Sequence, residues 1–432
     1  MQRAEPKQIL FATIGSLGDL HPCIALALEL KRRGHVSAIA TTEFYRAKVE
    51  SLGIKFRPIR PNWNPTDSAL IRQCENLNTG PEVLFRRLIL PHLRDTYDDL
   101  ISAAAGMDLL IAGELVYAAP LVAEKIGVRW ASAILSPCSF FSAYDPSVLV
   151  NMPALIRLRQ AGWLVNRAAL NLGRLATRHW WNPVRDLRRE ERLRADCDPI
   201  ILDKFSPDLV LALFSRWLAQ PQPDWPVCTL QPGFVYYDLE KAGRAPAPEL
   251  QEFLASGQAP VVFTLGSTAV HHPGDFYATS IEAAKRLGRR GVLVGAAPVA
   301  KLISPEILAV PYASYSEIFP CASAVVHQGG SGTTGQALRS GRPMLVVPFG
   351  WDQPDNGARV ERLGVGLCMP RKAYSARNAA TALDRLLQES RFSARATKVG
   401  FQVSAENGLT LACDAIEGLV QQNQPQLSTD RT

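Results

Sequence analysis

Apolar residues in this chain come in short unbroken runs, each followed by a longer stretch with helical spacing, and the alternation occurs twice over. The first run is Ile9-Leu10-Phe11-Ala12. The loop Gly15-Ser16-Leu17-Gly18-Asp19 follows, then a helical stretch from Pro22 to Arg33 that stops at Gly34. Val36 to Ala40 repeats the strand pattern and Glu43 to Ser51 the helical one; after Gly53 a third run starts at Ile54. Runs without polar alternation mark strands covered on both faces, as in a parallel sheet wrapped by crossover helices. The order βαβαβ therefore predicts a doubly wound sheet. Further strands are expected at Asp108 to Ala112, Val128 to Ile134 and Leu209 to Leu213.

A second series begins at Pro260-Val261-Val262-Phe263-Thr264-Leu265. It continues through Gly291 to Val294, Ala324 to Val326 and Met344 to Val347. Between the two lies a passage rich in proline and glycine. The expected organisation is one α/β unit over 1–225, a linker over 226–248, a second α/β unit over 249–420 and a polar, disordered tail over 421–432. A length of 432 residues suits about two or three domains.

Composition narrows the class. With 47% apolar and 20% charged residues the chain reads as an ordinary globular protein. A net charge of +7 suits an anionic ligand and gives little reason to expect nucleic acid. The cysteines, Cys23, Cys74, Cys138, Cys197, Cys228, Cys321, Cys368 and Cys413, show no CxxC spacing. They are expected to be reduced fillers of a cytoplasmic protein. No signal peptide or membrane-spanning run is expected. From Ile156 to Arg194 arginines greatly outnumber carboxylates, interleaved with Trp163, Trp180 and Trp181. A solvated helical face explains this, and so does a peripheral contact with anionic lipid. Asp196-Cys197-Asp198 has the form of a metal-binding DxD. It follows an arginine-rich helical segment instead of a strand end, so no metal is expected there.

The densest chemistry lies between His327 and Asn356. An apolar strand, Ala322 to Val326, leads into His327-Gln328-Gly329-Gly330-Ser331-Gly332-Thr333-Thr334, then a helix, then the strand at Pro343 to Pro348, then Asp352-Gln353 and Asn356. A glycine-rich turn opening a helix brings backbone N–H groups and the positive end of the helix dipole to an anion. His327, Thr333 and Thr334 are placed to add donors to a phosphate. Asp352 and Gln353 are placed to hold hydroxyl groups. Gly330-x-Gly332-x-x-Gly335 alone also matches a dinucleotide loop, which leaves a nicotinamide-dependent oxidoreductase as a competing reading.

The extended pattern resembles the family 1 nucleotide-sugar-dependent glycosyltransferases of the GT-B fold. It carries His327 to Thr333, then Ala337-Leu338-x-x-Gly341-x-Pro343, then Asp352-Gln353-x-x-Asn356. Gly15-Ser16-Leu17-Gly18-Asp19-Leu20-His21-Pro22 is similar to the acceptor loop of bacterial and sterol-type members. Within the family the chain is similar to the rhamnosyltransferase of rhamnolipid synthesis and to bacterial transferases acting on flavonoids. The resemblance implies two Rossmann-like doubly wound domains facing across a cleft. It implies donor contacts from Ser267, Thr268, Tyr312 (stacked on the base), His327, Gly330, Ser331, Gly332, Thr333, Thr334, Asp352, Gln353 and Asn356. It further implies an acceptor pocket touching Ser16, Leu17, Phe85, Leu88, Ser136 and Pro137.

The implied reaction is direct displacement, with inversion, of a nucleoside diphosphate from a dTDP- or UDP-hexose by an acceptor hydroxyl. Glucose or rhamnose would move to a lipophilic acceptor such as a polyphenol, a sterol or a hydroxy-acyl lipid. An alcohol is a poor nucleophile at neutral pH and needs a base. Asp19 is the candidate and His21 the alternative. No cofactor or metal is expected, because helix dipole and His327 would balance the leaving diphosphate. A GT-B epimerase that releases free sugar remains a second competing reading.

Overall fold

A computed structural model describes residues 5–76, 78–148, 159–194, 198–199, 201–238, 247–297 and 300–421. Residues 422–432 of the expected polar tail, Asp196-Cys197 and residues 239–246 of the presumed linker lie outside the described residues.

The first sheet has seven strands: β1 Gln8–Ala12, β2 Val36–Thr41, β3 Lys55–Pro58, β4 Leu109–Gly113, β5 Arg129–Ile134, β6 Val210–Ala212 and β7 Thr229–Leu230. All neighbours run parallel, in the order β3-β2-β1-β4-β5-β6-β7. The second sheet comprises β8 Val261–Thr264, β9 Gly291–Val294, β10 Lys301–Ser304, β11 Ile307–Val310, β12 Ala324–His327, β13 Met344–Val346 and β14 Gly366–Cys368. Its order, β10-β11-β9-β8-β12-β13-β14, repeats the winding of β3-β2-β1-β4-β5-β6, with an antiparallel strand, β10, at one edge in place of the parallel β7 at the other edge of the first sheet. The apolar runs became the central strands because both faces of each sheet are covered, as the fully buried Ile9, Phe11, Leu110, Val262, Phe263 and Val326 show.

Each sheet reverses its winding between two central strands, β1/β4 in the first and β8/β12 in the second. Ligands of open α/β sheets bind outside the carboxyl ends of strands at such a point. The loops after β1, β4, β8 and β12 therefore define where the chemistry should lie.

Two features depart from the expected domain plan. The stretch 226–248 is not a free linker: Thr229–Leu230 pairs with β6, and Phe234 and Val235 are buried. The chain then crosses back, and its last helix, Gly408–Gln421, packs on the first lobe through Ala412, Cys413 and Ile416. Arg33 binds Asp414 and Glu417 of that helix at 2.6 and 2.7 Å. The second unit thus ends before 420. The apolar side of the last helix continues the first lobe's core, which a reading by sequence order assigned to the wrong half.

Candidate active site

Asp19 stands in the first turn of the helix Leu17–Arg32. Ser16 caps that helix, accepting from Gly18 N–H at 3.1 Å, and Ser16 N–H donates to Asp19 Oδ2 at 2.7 Å. Ser16 Oγ lies 3.3 Å from the same oxygen. Together they form a capping box. Gly15, at φ +151°, makes room for it, since a Cβ there would lie 2.2 Å from Asp19 Oδ2. The cap fixes the carboxylate at the mouth of the β1 loop.

Sequence reasoning missed the second acid of this region, Glu114. It directly follows β4 at the winding reversal, a position that topology could have marked. Ser139 hydrogen-bonds its carboxylate. The buried Lys204 donates to the Ser139 carbonyl and lies within electrostatic reach of Glu114. Burial pushes Glu114 up from the usual carboxylate range. Burial also raises Asp19 to about 6, with a contribution from the charge of Glu114, while the bonds from Ser16 pull it back. A small cavity of about 10 Å³, room for about one water, is lined by Thr13, Asp19, Cys23, Glu114 and Leu135.

The third acid comes from the other lobe. Asp352 precedes the helix Gln353–Leu363 and is pushed up to about 7, chiefly by burial, with Glu114 and Asp19 adding repulsion. Its Oδ2 accepts from Asn356 Nδ2 at 2.8 Å, and the same amide donates to Gly329 O at 2.9 Å. Asn356 thereby ties the acid to the glycine-rich loop. Asp19 and Glu114 of the first lobe thus lie within electrostatic reach of Asp352 of the second.

The glycine-rich loop leads into the helix Ser331–Arg339. Its first internal bond is Thr334 N–H to Gly330 O, at 2.8 Å. The N–H groups of Ser331, Gly332 and Thr333 therefore have no acceptor within the helix. Gly332 is exposed and Gly330 and Ser331 half-buried, so this end is accessible to an anion. Ser331 Oγ donates to Leu135 O of the facing lobe. Ser267 and Thr268, half-buried after β8, stand at the adjoining loop, and the Ser267 carbonyl bonds His271. Tyr312, 43% exposed after β11, lies within electrostatic reach of Tyr237 and Asp238.

Several expected roles change. His327 is fully buried; its Nδ1 accepts from Gly329 N–H at 3.0 Å and its Nε2 faces Met344 Sδ at 3.4 Å. Burial lowers it to about 3, so it is neutral and shapes the loop instead of donating to a phosphate. Thr334 is fully buried and turned from solvent, whereas Thr333 is nearly so, at 7%. Gln353 accepts from Phe349 and Gly350 N–H at 2.7 and 3.1 Å, so its amide oxygen secures its own loop instead of a sugar hydroxyl.

His21, the alternative base, lies two residues along the helix from Asp19 and so faces elsewhere. Its ring packs on Tyr237, 5.0 Å between centroids, and burial with nearby Lys48 lowers it to about 3. On the acceptor side Phe85 is half-buried against Tyr117 and Trp181, 5.4 Å from the latter. Leu88 is core beneath it and Leu17 packs on the opposite core, so neither forms a pocket wall. Ser136 and Pro137 are buried in the loop that meets the second lobe; Ser136 Oγ pairs with Cys138 Sγ at 3.4 Å.

The lobes are clasped at several points. Buried Arg359 pairs with Asp355 at 2.6 Å and with Asp145 of the first lobe, which Arg362 also binds at 2.9 Å. Val148 N–H donates to Asp355 at 2.9 Å, and Glu75 meets His272 at 2.6 Å. A larger cavity of about 580 Å³, between Ile101–Asp108 and Ile126–Arg129, opens at the amino ends of β4 and β5, away from all of these groups. Among the described residues no cluster of three or more His, Cys, Asp or Glu could hold a metal ion.

Two doubly wound lobes that meet at the carboxyl ends of their strands, with an open helix N-terminus on one and a perturbed carboxylate on the other, have the arrangement of a group-transfer enzyme of the GT-B type. Residues 9–137 match the glycosyltransferase family 28 N-terminal domain, and 294–410 match the C-terminal domain of erythromycin biosynthesis protein CIII-like proteins. The chain is 31% identical over 433 residues to O-mycaminosyltylonolide 6-deoxyallosyltransferase of Streptomyces fradiae, covering 95% of this chain and 97% of that protein. It is 30% identical to sterol 3-beta-glucosyltransferase of Neurospora crassa, covering 96% of this chain but spanning 27% of that longer protein. The glycotransferase of kitacinnamycin superposes with a TM-score of 0.70 at 22% identity, covering 96% of this chain and 99% of the other. Spinosyn rhamnosyltransferase SpnG in complex with thymidine diphosphate superposes at 0.66 and 16%, covering 95% and 100%. The chain belongs to this family: it is a GT-B glycosyltransferase built from a family 28 N-terminal domain and an EryCIII-like C-terminal domain.

Proposed function

We propose that the enzyme transfers a hexose, deoxygenated or not, from a dTDP- or UDP-sugar to a hydroxyl of a lipophilic acceptor, inverting the anomeric carbon. The observation that carries this reading is that Asp19 of one lobe lies within electrostatic reach of Asp352 of the other, the lobe that also carries the open helix end at Ser331–Thr333. The donor's pyrophosphate would lie on the N–H groups of Ser331, Gly332 and Thr333, where the helix dipole offsets the charge that develops as the diphosphate leaves. Tyr312 would stack on the base and Asp352 would hold sugar hydroxyls.

Asp19, raised to about 6, is mostly ionised at neutral pH yet basic enough to take the acceptor's proton. The oxygen then attacks the anomeric carbon, the bond to the diphosphate breaks, and the electron pair leaves with the phosphate. A single displacement makes the product linkage opposite in configuration to the donor. The half-buried Phe85 and its aromatic neighbours favour an apolar ring or chain in the acceptor. The relatives named for a macrolide-type substrate and for sterols point the same way.

The test is a panel of dTDP- and UDP-sugars against macrolide, sterol, polyphenol and hydroxy-acyl acceptors, read by mass spectrometry and by the anomeric coupling in NMR. The expected result is a mono-glycosylated lipophilic product of inverted configuration. Retention of configuration, or free sugar as the only product with every acceptor, would reject the proposal.

A further inference from the structure

The helix Trp163–Thr177 turns its apolar side outward. At about 100° per residue, Leu164, Val165, Ala168, Leu172, Leu175 and Ala176 fall on one arc. Leu164, Leu172 and Leu175 are 65%, 67% and 65% exposed. The side against the protein is the opposite one: Asn166 is buried, donating to Ala143 O at 3.0 Å, with Ala169 and Leu170 half-buried beside it. A surface helix normally buries its apolar arc against the core. This one leaves it uncovered among the described residues.

The charges beside that arc are all of one sign. Arg167, Arg174 and Arg178 line its edge, and no Asp or Glu occurs between Asp145 and Asp186. Arg174 reaches Asp198, while Arg167 and Arg178 have no ion pair among the described residues. At the start of the helix Trp163 stacks on Tyr144, 5.6 Å between centroids at 7°, and both rings are partly exposed. An outward apolar arc, a basic edge and aromatic rings at one end are the parts of a helix that lies in the plane of a lipid headgroup layer.

We infer that this face docks the enzyme on a bilayer surface bearing anionic headgroups. The leucines enter the acyl boundary, and the arginines meet phosphates that the acid-free segment does not repel. Past Arg178 the chain turns into Trp181, which packs on Phe85. A docked helix would thus bring the proposed acceptor wall close to the membrane. Docking itself does not depend on the proposed reaction.

Sedimentation of the full chain with vesicles tests it. Binding is expected to vesicles containing phosphatidylglycerol, weaker binding to phosphatidylcholine alone, and weakening by salt. The triple change Leu164→Ser, Leu172→Ser, Leu175→Ser should lower the partition by more than about tenfold. Arg167→Glu with Arg178→Glu should remove the salt-sensitive part. Both variants should keep the wild-type melting midpoint and wild-type transfer to a water-dispersed acceptor, which separates loss of docking from loss of catalysis. Absence of wild-type binding to either vesicle, undiminished binding by the triple variant, or a lipid-free wild-type dimer that the triple change dissolves would overturn the inference. The last outcome would assign the face to a second copy of the chain.

Discussion

Asp19 completes the capping box that opens its helix and lies within electrostatic reach of Asp352, and its neighbours set its acidity. Ser16 pulls its pKa down and Glu114 pushes it up. The acidic limb of kcat/KM is therefore expected near pH 6. Glu114→Gln should move that limb to lower pH and Ser16→Ala to higher pH, and a pH–rate profile of each variant checks the opposed signs. Ser16→Ala should also cost about 1 kcal/mol of stability by loss of the cap. Stability carries the same acids. Asp19 at about 6 and Asp352 at about 7 lie above the ordinary 3.8, so the folded state binds the additional protons. Their stabilising contribution is complete below about pH 4 and is lost as pH rises through 6 to 7. His21 and His327, lowered to about 3 from 6.5, act oppositely: their contribution is present above 6.5 and fades as pH falls. Asp352→Asn is expected to raise Tm at pH 8 and to flatten Tm between pH 8 and 6. An unchanged slope would show that Asp352 does not titrate there.

At the scale of elements, the glycine-rich turn is held from three sides. His327 accepts from its Gly329 N–H, Asn356 donates to its Gly329 carbonyl, and Val346 and Gln353 crowd its Cα. Gly329 has φ +95°, and a Cβ there would lie 2.6 Å from Val346 Cγ1. Gly329→Ala is therefore expected to strain the turn by about 1–3 kcal/mol. It should weaken nucleoside-diphosphate binding by about tenfold or more, the counterpart of about 1.4 kcal/mol; calorimetric titration with TDP and UDP reads this directly. The turn was plain in the sequence because its glycines and the flanking apolar run are local signals. So were the central strands, whose runs needed no partner to be recognised. Thr229–Leu230, Lys301–Ser304 and Gly366–Cys368 were not, since short strands at sheet margins take their conformation from the neighbour they pair with. The inward turn of His327 and Gln353 was also hidden. The sequence places His327 beside the glycine-rich turn and Gln353 after the next strand, but which atom each turns inward depends on packing across the chain.

Across the whole molecule, the site exists only where the lobes meet. Glu114, unnoticed in sequence, matters because the fold brings it within electrostatic reach of both Asp19 and Asp352, residues more than 300 positions apart. The C-terminal helix returns to the first lobe for a comparable reason, since its apolar face fits a core built from distant sequence. Arg359 holds the junction, with Asp145 and Asp355 on either side and 1% of its own side chain exposed. Arg359→Met should leave the buried Asp355 carboxylate without its cation and Asp145 with Arg362 alone, and cost about 3–5 kcal/mol, seen as a lower midpoint in urea. The central claim is that one lobe's carboxylate activates an alcohol toward a sugar gripped by the other lobe. Its most direct test is Asp19→Asn, measured for turnover and for nucleoside-diphosphate affinity in one preparation. The account expects kcat to fall about 10²–10⁴-fold with affinity within about twofold of wild type. Near-normal turnover by Asp19→Asn would contradict it.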